Sequence, residues 1–471
     1  MSAKGHDFGR AAARSLDDRE SRAILDKAIH HIDLLRQRSV SAMPDFAARR
    51  ARAVAVRQHS LDHLPELLET LEASVTAAGG QVHFATDAPQ AAAIVTGILT
   101  ARGVRLAVKG KSMVSEEIGL NAALGAAGIE AVETDLGEYI IQLAGQTPSH
   151  ILAPALHVSK EQVSDLFRDK LGRTSTDIPE MTRIARDSLR RKFLAAEAGI
   201  TGCNIAIAAT GTVVVLENEG NIRLSASCPP VHVALMSLEK VVATLHDAAA
   251  VLDILPPSAT GQTLPVHLSF FTGSRRDGER DGPTDMHLVI LDNGRSDILA
   301  DPVLRDILRC IRCGACLNVC PVYQAVGGHA YGAVYPGPMG SVLSGLLAGA
   351  AGDPRQPFAC THCAACAGAC PAGIDHPRLL QELRRRLAAG HADPAAAAFA
   401  ALARHPWLFD GAAAVARRVD PELSRTAALA PDSAVGRFLR GRRFPGLARP
   451  FSRRWREAAK RPANAGKGER S

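Results

Sequence analysis

Residues 310–321 read Cys-Ile-Arg-Cys-Gly-Ala-Cys-Leu-Asn-Val-Cys-Pro, and residues 360–371 repeat the same spacing as Cys-Thr-His-Cys-Ala-Ala-Cys-Ala-Gly-Ala-Cys-Pro. Three cysteines separated by two residues each can reach three irons of one cubane, and a fourth cysteine followed by proline completes the bacterial ferredoxin spacing. A pair of zinc sites is the alternative, but tetrahedral zinc needs four ligands and no third closely spaced cysteine. The repeat therefore predicts two [4Fe–4S] clusters.

The two cysteine motifs are expected to exchange one ligand. In ferredoxins with this spacing, the fourth cysteine of each motif binds the cluster of the other motif. The exchange ties the two loops together and holds the clusters close, which suits sequential one-electron transfer. The predicted ligands are, for the first cluster, Cys310, Cys313, Cys316 and Cys370, and for the second, Cys360, Cys363, Cys366 and Cys320. The two remaining cysteines, at 203 and 228, are interpreted as buried structural thiols.

The composition of the chain is that of an ordinary globular protein. Its 471 residues are too many for one core, so two or three domains are expected. An apolar share of 46% and a charged share of 22% exclude wholesale disorder, collagen-like repeats and small disulfide scaffolds. The sequence shows neither a membrane-spanning apolar stretch nor a secretory signal, and eight of its ten cysteines stand in the two motifs. These features predict a reducing, cytoplasmic location.

The net charge of +7 is concentrated at the C-terminal end. Residues 437–471 carry twelve Lys and Arg against two Glu, so the rest of the chain is close to neutral. The prediction for this tail is docking to a partner or to an anionic surface. Nucleic acid is not expected as a partner, because aromatic residues make up only 4% of the chain and basic clustering is confined to the tail.

Strand-like and helical segments alternate after the first 60 residues, which is typical of a parallel or mixed sheet covered on both faces. A helical stretch is predicted over 164–199, and Ser115 is predicted to cap a helix over 115–128. The predicted strands are residues 81–86, 104–109, 129–134, 150–154, 204–209, 212–217, 221–227, 231–236, 264–272 and 286–292.

Two polar stretches of this region are candidate ligand sites. Lys111 and Ser112 fall in a predicted strand-to-helix loop, where a helix N-terminus can hold an anion, although a charged turn is the alternative. Glu217, Glu219 and Asn221 follow an apolar strand. A hairpin turn explains part of that segment equally well, but strand ends in α/β sheets are also where ligands bind. Both interpretations stay open at this point.

Taken in chain order, the polar stretches and the cysteine motifs resemble the lactate-utilisation protein B (LutB) family, the iron–sulfur subunits of LutABC-type L-lactate oxidation systems. The similarity covers roughly residues 20–455. The stretches that carry it are Lys-Ser-Met-Val-Ser-Glu-Glu-Ile (111–118), Glu-Thr-Asp-Leu-Gly-Glu-Tyr-Ile (133–140), Pro-Ser-His-Ile (148–151), Gly-Ile-Thr-Gly (199–202), Thr-Gly-Thr (210–212), Glu-Asn-Glu-Gly-Asn (217–221), Cys-Pro-Val-Tyr (320–323) and Gly-Gly-His-Ala-Tyr-Gly (327–332).

The resemblance implies an α/β N-terminal domain of the LUD type, with a NagB/RpiA/CoA-transferase-like fold. An α-helical ferredoxin-like module with two [4Fe–4S] clusters and a helical, basic C-terminal region would follow. The expected division is an N-terminal helical segment at 1–60, the LUD-type domain at 61–298, the cluster domain at 299–390 and the C-terminal region at 391–471.

The resemblance also implies lactate-to-pyruvate metabolism together with a LutA-like cysteine-rich redox subunit and a LutC-like LUD subunit. The expected role is therefore electron transfer within an L-lactate dehydrogenase-type complex rather than catalysis by this chain alone, and no residue is assigned as catalytic. A non-redox ligand-binding or transferase-like protein with structural clusters is the alternative.

Overall fold

The computed structural model describes residues 6–347, 353, 355–389 and 394–415. Two compact units divide the chain, Met1–Arg386 and Leu387–Ser471. The basic tail at 437–471 lies outside the described residues, and the division into four segments stays a prediction. In the described part of the chain, no helix is both long enough and apolar enough to cross a membrane.

Ten strands among the described residues form two sheets in the first unit. The larger sheet is wholly parallel, with the order β1-β10-β7-β4-β2-β3, and the smaller one has the order β8-β5-β6-β9. The strands are β1 (Gln81–Ala85), β2 (Leu106–Lys109), β3 (Glu130–Glu133), β4 (Ala198–Gly202), β5 (Ile205–Ile207), β6 (Thr212–Glu217), β7 (Val231–Ser237), β8 (Val241–Val242), β9 (His267–Thr272) and β10 (Asp285–Leu291).

In the first unit, helices cover both faces of the parallel sheet and build the cysteine-rich region; the last of the helices given below, Pro394–Ala403, belongs to the second unit. They are α1 (Phe8–Asp17), α2 (Arg19–Ser41), α3 (Phe46–Asp62), α4 (Leu64–Ala77), α5 (Ala88–Ala101), α6 (Met113–Glu117), α7 (Leu120–Ala126), α8 (Leu136–Ala144), α9 (Lys160–Leu171), α10 (Ile178–Ala195), α11 (Asn221–Ser227), α12 (Leu245–Leu252), α13 (Leu255–Ala259), α14 (Arg295–Ala300), α15 (Ala315–Asn318), α16 (Pro321–Val326), α17 (Gly337–Leu347), α18 (Ala365–Ala369), α19 (His376–Ala388) and α20 (Pro394–Ala403).

The predicted α/β class is confirmed, because strand and helix alternate around a parallel sheet buried on both faces. All seven residues of β7 are buried and five of them are apolar, as expected for a central strand covered on both faces. Three local predictions are wrong. The predicted helical stretch ends before β4, residues 150–154 form bends and turns, and Asn221–Ser227 is a helix instead of a strand.

The cysteine-rich region shares one apolar core with the N-terminal helices α1 and α2. Leu25 and Ile29 of α2 belong to the same buried cluster as Leu317 and Tyr323. The loop between the two cysteine motifs contributes to this core, since Tyr331 and Tyr335 are each only 2% exposed. This loop therefore packs into the same core as the cysteine region.

Candidate metal centre and adjoining cavity

The first cysteine set lies around a small cavity in the cluster region. Its four thiols come from both motifs, because three belong to the first motif and the fourth to the second. Three of these cysteines are buried and one is half-buried. The members that line this cavity together are Cys310, Cys313, Cys316 and Cys370.

The second cysteine set is assembled in the same crossed manner but closer to solvent. The thiol of Cys366 interacts electrostatically with Cys320 of the first motif and with Cys360 and Cys363 of its own motif. Cys363 is exposed, whereas Cys366 is buried. The structure therefore brings together the same two groups of four that the spacing predicts, one enclosed and one reaching the surface.

Both cysteine loops repeat the same backbone turn. The residue two positions after the first cysteine of each motif has a left-handed conformation, with φ of 59° at Arg312 and 55° at His362. Their amide groups point back at the thiols, from Arg312 to Cys310 Sγ at 3.4 Å and from His362 to Cys360 Sγ at 3.3 Å. A left-handed non-glycine residue costs roughly 1–2 kcal/mol. The turn curls each loop around its thiols and supplies hydrogen bonds to sulfur.

The chemistry of the donor set fits iron–sulfur clusters. Burial raises the pKa of Cys370 to about 11, and burial with the adjacent Cys320 raises the pKa of Cys366 to about 12. Burial together with the neighbouring Cys370 raises the pKa of Cys313 as well. Four thiolates cannot be buried side by side without a compensating cation, and a bound metal deprotonates its thiols. Each set thus has the four sulfur donors that a cubane requires, and the first set is also enclosed.

The two other cysteines differ from each other. Cys203 is buried, and burial raises the pKa of its thiol to about 11, as expected for an inert structural cysteine. Cys228 is exposed, so the prediction of a buried thiol is wrong for this residue. It caps the C-terminus of α11, where the helix meets solvent.

A second, larger cavity of about 320 Å³ lies beside the first cysteine loop. Its wall includes residues that follow the carboxyl ends of three neighbouring parallel strands, namely Lys111 after β2, Cys203 after β4 and Lys240 after β7. Ile311 and Arg312 of the first cysteine loop close the cavity from the other side. This volume is within the range of small-molecule sites, and the carboxyl edge of a parallel sheet is where such sites form.

All five candidate ligand residues line this cavity, and most of them also have a local structural partner. They are Lys111, Ser112, Glu217, Glu219 and Asn221. Ser112 caps α6 by accepting a hydrogen bond from the amide of Ser115, so the predicted cap at Ser115 is one turn too late. Asn221 donates to Thr134 Oγ1 at 3.2 Å. Some of the side chains that line the cavity, such as Ser112, therefore also stabilise the local backbone.

The segment over 217–221 connects the end of β6 to the start of α11. It is therefore not the turn of a hairpin between two strands. Gly220 has φ of 77°, which lets the chain turn directly into α11. The Glu217 carboxylate accepts hydrogen bonds from the amides of Ile222 at 2.6 Å and Arg223 at 2.8 Å. Glu217 thus acts as a cap for α11, because a carboxylate satisfies the free amide groups at a helix start.

Glu219 lies at the rim of the cavity. The residue as a whole is exposed, but its carboxyl group is partly desolvated and accepts a hydrogen bond from the Leu136 amide at 3.0 Å. This desolvation and the nearby Asp135 carboxylate raise the pKa of Glu219 to about 7. A carboxyl group with this pKa can accept or release a proton near neutral pH.

Sequence reasoning missed the cavity residues Lys240, Arg312 and Tyr335. Lys240 follows a buried strand with no distinguishing motif, and the other two lie in the cysteine-rich region, 91 residues or more after the candidate stretch that ends at Asn221. The one available signal was the Arg inside the first cysteine motif. A cation next to cluster ligands influences the reduction potential of the cluster.

A buried ionic network supports this side of the cavity. Arg295, which is fully buried, pairs with Glu117 at 2.7 Å and with Glu239 at 3.1 Å. Glu239 also binds Arg312 at 2.9 Å, and Tyr335 donates to Glu117 at 2.7 Å. Desolvation would raise the pKa of Glu239, but Arg295 and Arg312 hold it down at about 2. The network joins the parallel sheet to the first cysteine loop.

Glu138 predicts a pH dependence of stability. The residue is 4% exposed, and burial raises its pKa to about 7 even though Lys111 lies 3.5 Å away. Because the folded state holds this proton more tightly than the unfolded chain, where the pKa is near 4.5, the contribution is fully present below pH 4.5 and is lost as the pH rises through 7. Glu138→Gln should therefore flatten the pH profile by roughly 2 kcal/mol between about pH 5 and pH 8.

Denaturant unfolding of wild type and variant across this pH range checks the Glu138 prediction. Glu161→Gln is the matched control, since the Glu161 side chain is 72% exposed. Parallel pH profiles for wild type and Glu138→Gln would contradict it.

The fold and the two thiol sets define a class of protein, and comparison with known families agrees. Residues 68–291 match the LUD domain, and residues 306–374 match the 4Fe-4S dicluster domain. The parallel sheet lies in the first matched region and all eight motif cysteines lie in the second. This is an iron–sulfur protein with an N-terminal LUD domain.

The chain belongs to the lactate utilization protein B family. It is 43% identical to lactate utilization protein B of Shouchella clausii over 383 residues, which are 81% of this chain and 80% of that protein. It is 43% identical to the protein of the same name from Bacillus licheniformis over 382 residues, with the same coverage of 81% and 80%. The uncharacterized electron transport protein YkgF of Escherichia coli K12 is 42% identical over 383 residues, again covering 81% and 80%.

Proposed function

We propose that this chain is the iron–sulfur electron-transfer subunit of a system that oxidises L-lactate to pyruvate in the cytoplasm. The observation that carries the proposal is the presence of two thiol sets, each drawn from both cysteine motifs. The relatives named for lactate utilization and for electron transport support it. A single structural metal would need only one such set.

The ligand assignment follows the two sets. The first cluster would be held by Cys310, Cys313, Cys316 and Cys370, and the second by Cys360, Cys363, Cys366 and Cys320. When bound, each cluster supplies a site that gains and loses one electron. Lactate oxidation releases two electrons, which matches two such sites.

The different exposure of the two thiol sets assigns a different electron-exchange partner to each cluster. The first set is enclosed and adjoins the 320 Å³ cavity, whereas the second reaches the surface at Cys363. Electron transfer rates fall with distance, so a surface cluster serves a protein partner and an enclosed cluster serves a bound small molecule or an internal relay. The proposed partners are a LutA-like cysteine-rich redox subunit and a LutC-like LUD subunit.

The protein purified without oxygen should contain close to eight iron atoms and eight labile sulfides per chain, because two cubanes need this number. Iron and sulfide analysis of the same preparation measures it. Stoichiometric zinc without sulfide would overturn the assignment.

Lactate alone should not reduce this protein, because no flavin or nicotinamide fingerprint is present in the chain and clusters accept single electrons. Adding the purified cysteine-rich partner should then allow lactate to bleach the visible absorbance of the clusters. Bleaching by lactate without a partner would place the dehydrogenase site in this chain and refute the subunit role.

The cavity supports a second candidate function, that of a non-redox ligand-binding protein. A 320 Å³ cavity lined by Lys111 and Glu219 is compatible with a non-redox LUD protein whose clusters are structural. A redox titration separates the two functions. Clusters that cycle reversibly at accessible potentials support electron transfer, and clusters that do not cycle support the structural role.

A further inference from the structure

Two lysine ammonium groups of the large cavity have fewer polar partners than a desolvated cation normally has. Lys240 Nζ donates to the carbonyl oxygen of Cys203 at 2.6 Å, and no carboxylate of the described residues lies within ion-pair distance of it. Lys111 Nζ is buried and pairs with the Glu138 carboxylate at 3.5 Å, but it donates no hydrogen bond to any described residue. Desolvated cations are normally paired. Lys240 is therefore a cation of this cavity that has no ionic partner among the described residues.

A third cation enters the cavity from the cluster loop. The Arg312 side chain is 8% exposed, it is fixed by Glu239 at 2.9 Å, and its guanidinium lies over the Tyr335 ring at 5.2 Å from the centroid. Burial lowers the pKa of Lys240, and repulsion from Arg312 lowers it further. An anion between these two side chains would relieve both effects.

The remaining wall indicates what kind of anion fits. Much of the lining is apolar, and a purely inorganic anion would leave that surface in contact with water. Glu219 and Asp135 stand at the rim, where a hydroxyl or a carbonyl oxygen could meet a proton donor or acceptor. The apolar part of the wall includes Met113, Leu152, Val215, Leu255 and Ile311.

We propose that the cavity binds a small 2-hydroxy or 2-oxo carboxylate, that Lys240 and Arg312 hold its carboxylate group, and that the bound anion is sensed by the first cluster. Arg312 stands between two proposed ligands of that cluster, Cys310 and Cys313, and its amide already contacts the Cys310 sulfur. Negative charge placed against Arg312 opposes the addition of an electron nearby. The coupling deepens the proposed function and rests on it.

Carboxylate binding and cluster reduction are thermodynamically linked, so each can be measured through its effect on the other. If the carboxylate binds the oxidised protein about tenfold more tightly than the reduced protein, then saturation with the carboxylate must make the first cluster harder to reduce by the same factor. For a one-electron couple, a factor of ten corresponds to a potential about 59 mV lower. Pyruvate is the suitable probe, because as a 2-oxo acid it cannot be oxidised by loss of hydrogen from its second carbon.

The experiment titrates pyruvate into anaerobic holoprotein by calorimetry and repeats the redox titration at saturating pyruvate. Lys240→Gln should weaken pyruvate binding at least about tenfold and abolish the shift in potential, as expected for the loss of one charge-assisted contact. Lys160→Gln makes the same chemical change on a side chain that is 45% exposed and lies outside the cavity, and it should change neither quantity. Lys240→Met removes the same charge and repeats the test if Lys240→Gln does not load iron.

Each outcome decides one part of the proposal. Equal binding of pyruvate to wild type and to the cavity variants overturns the site, and binding of inorganic phosphate as tight as that of pyruvate overturns the ligand class. Binding without a change in cluster potential overturns the coupling. Reversible clusters with no pyruvate binding would refute this inference while leaving electron transfer intact, whereas clusters that cannot be reduced would refute the proposed function itself.

Discussion

Replacing Cys320 with serine should remove the cluster of the second motif while the cluster of the first motif survives. Cys320 belongs to the first motif in sequence, but its thiol interacts with Cys360 and Cys363. The variant should therefore lose about half of its iron and sulfide, and the remaining signal should belong to the enclosed cluster. Electron paramagnetic resonance of the reduced protein, with iron analysis, measures both.

Cys228→Ser is the matched control, because it makes the same substitution at an exposed cysteine outside both sets. It should keep the full iron content. Loss of the enclosed cluster alone in Cys320→Ser would show that each motif binds its own cluster and that the crossed ligation is wrong. The reciprocal variant, Cys370→Ser, should remove the enclosed cluster and spare the exposed one.

Replacing Arg295 with methionine should destabilise the first unit strongly. The substitution leaves Glu117 and Glu239 buried without their main counter-charge, since both carboxylates are paired with the Arg295 guanidinium. Breaking a buried ion pair by removing one partner costs about 3–5 kcal/mol. We expect a Tm lower by about 10 °C in thermal unfolding followed by circular dichroism.

Arg168→Met is the control for this prediction. Its side chain is 56% exposed and pairs with Asp165 at 2.7 Å on the helix surface. Exposed pairs of this kind contribute about 0–1 kcal/mol, so the Tm should barely move. A Tm of Arg295→Met equal to that of the control would mean that the buried network contributes little to stability.

The two sheets show why most strands could be predicted and β4 could not. Strands such as Thr212–Glu217 are rich in valine and bounded by glycine or polar residues, and their predicted bounds match the structure. Strand β4 was not predicted: it reads Ala-Gly-Ile-Thr-Gly, and its first two residues fell within the predicted helical stretch over 164–199. A Cβ atom at Gly199 would lie 1.6 Å from the Ser225 carbonyl oxygen, so the close packing of α11 requires glycine in the strand. Tertiary packing thus removed the local signal.

Some residues of the cavity could be predicted from the sequence and others could not. Lys111, Ser112, Glu217, Glu219 and Asn221 could be selected because they stand in polar stretches at strand ends, and all of them line one cavity. Their role as ligand contacts stays a prediction. Lys240 and Arg312 could not be selected as cavity residues, because their position depends on which elements meet at the carboxyl edge of the sheet.

The sequence by itself determined the class of cofactor, the crossed grouping of the eight cysteines and the α/β character of the first half of the chain. Cysteine spacing is a local property, and so is the alternation of apolar segments. Only the tertiary structure decided that a cavity lies between the sheet edge and the first cysteine loop. It also decided that Arg312, a residue of that loop, lines the cavity. The physical reason is that charges 72 residues apart, at Lys240 and Arg312, interact only once folding has removed the water between them.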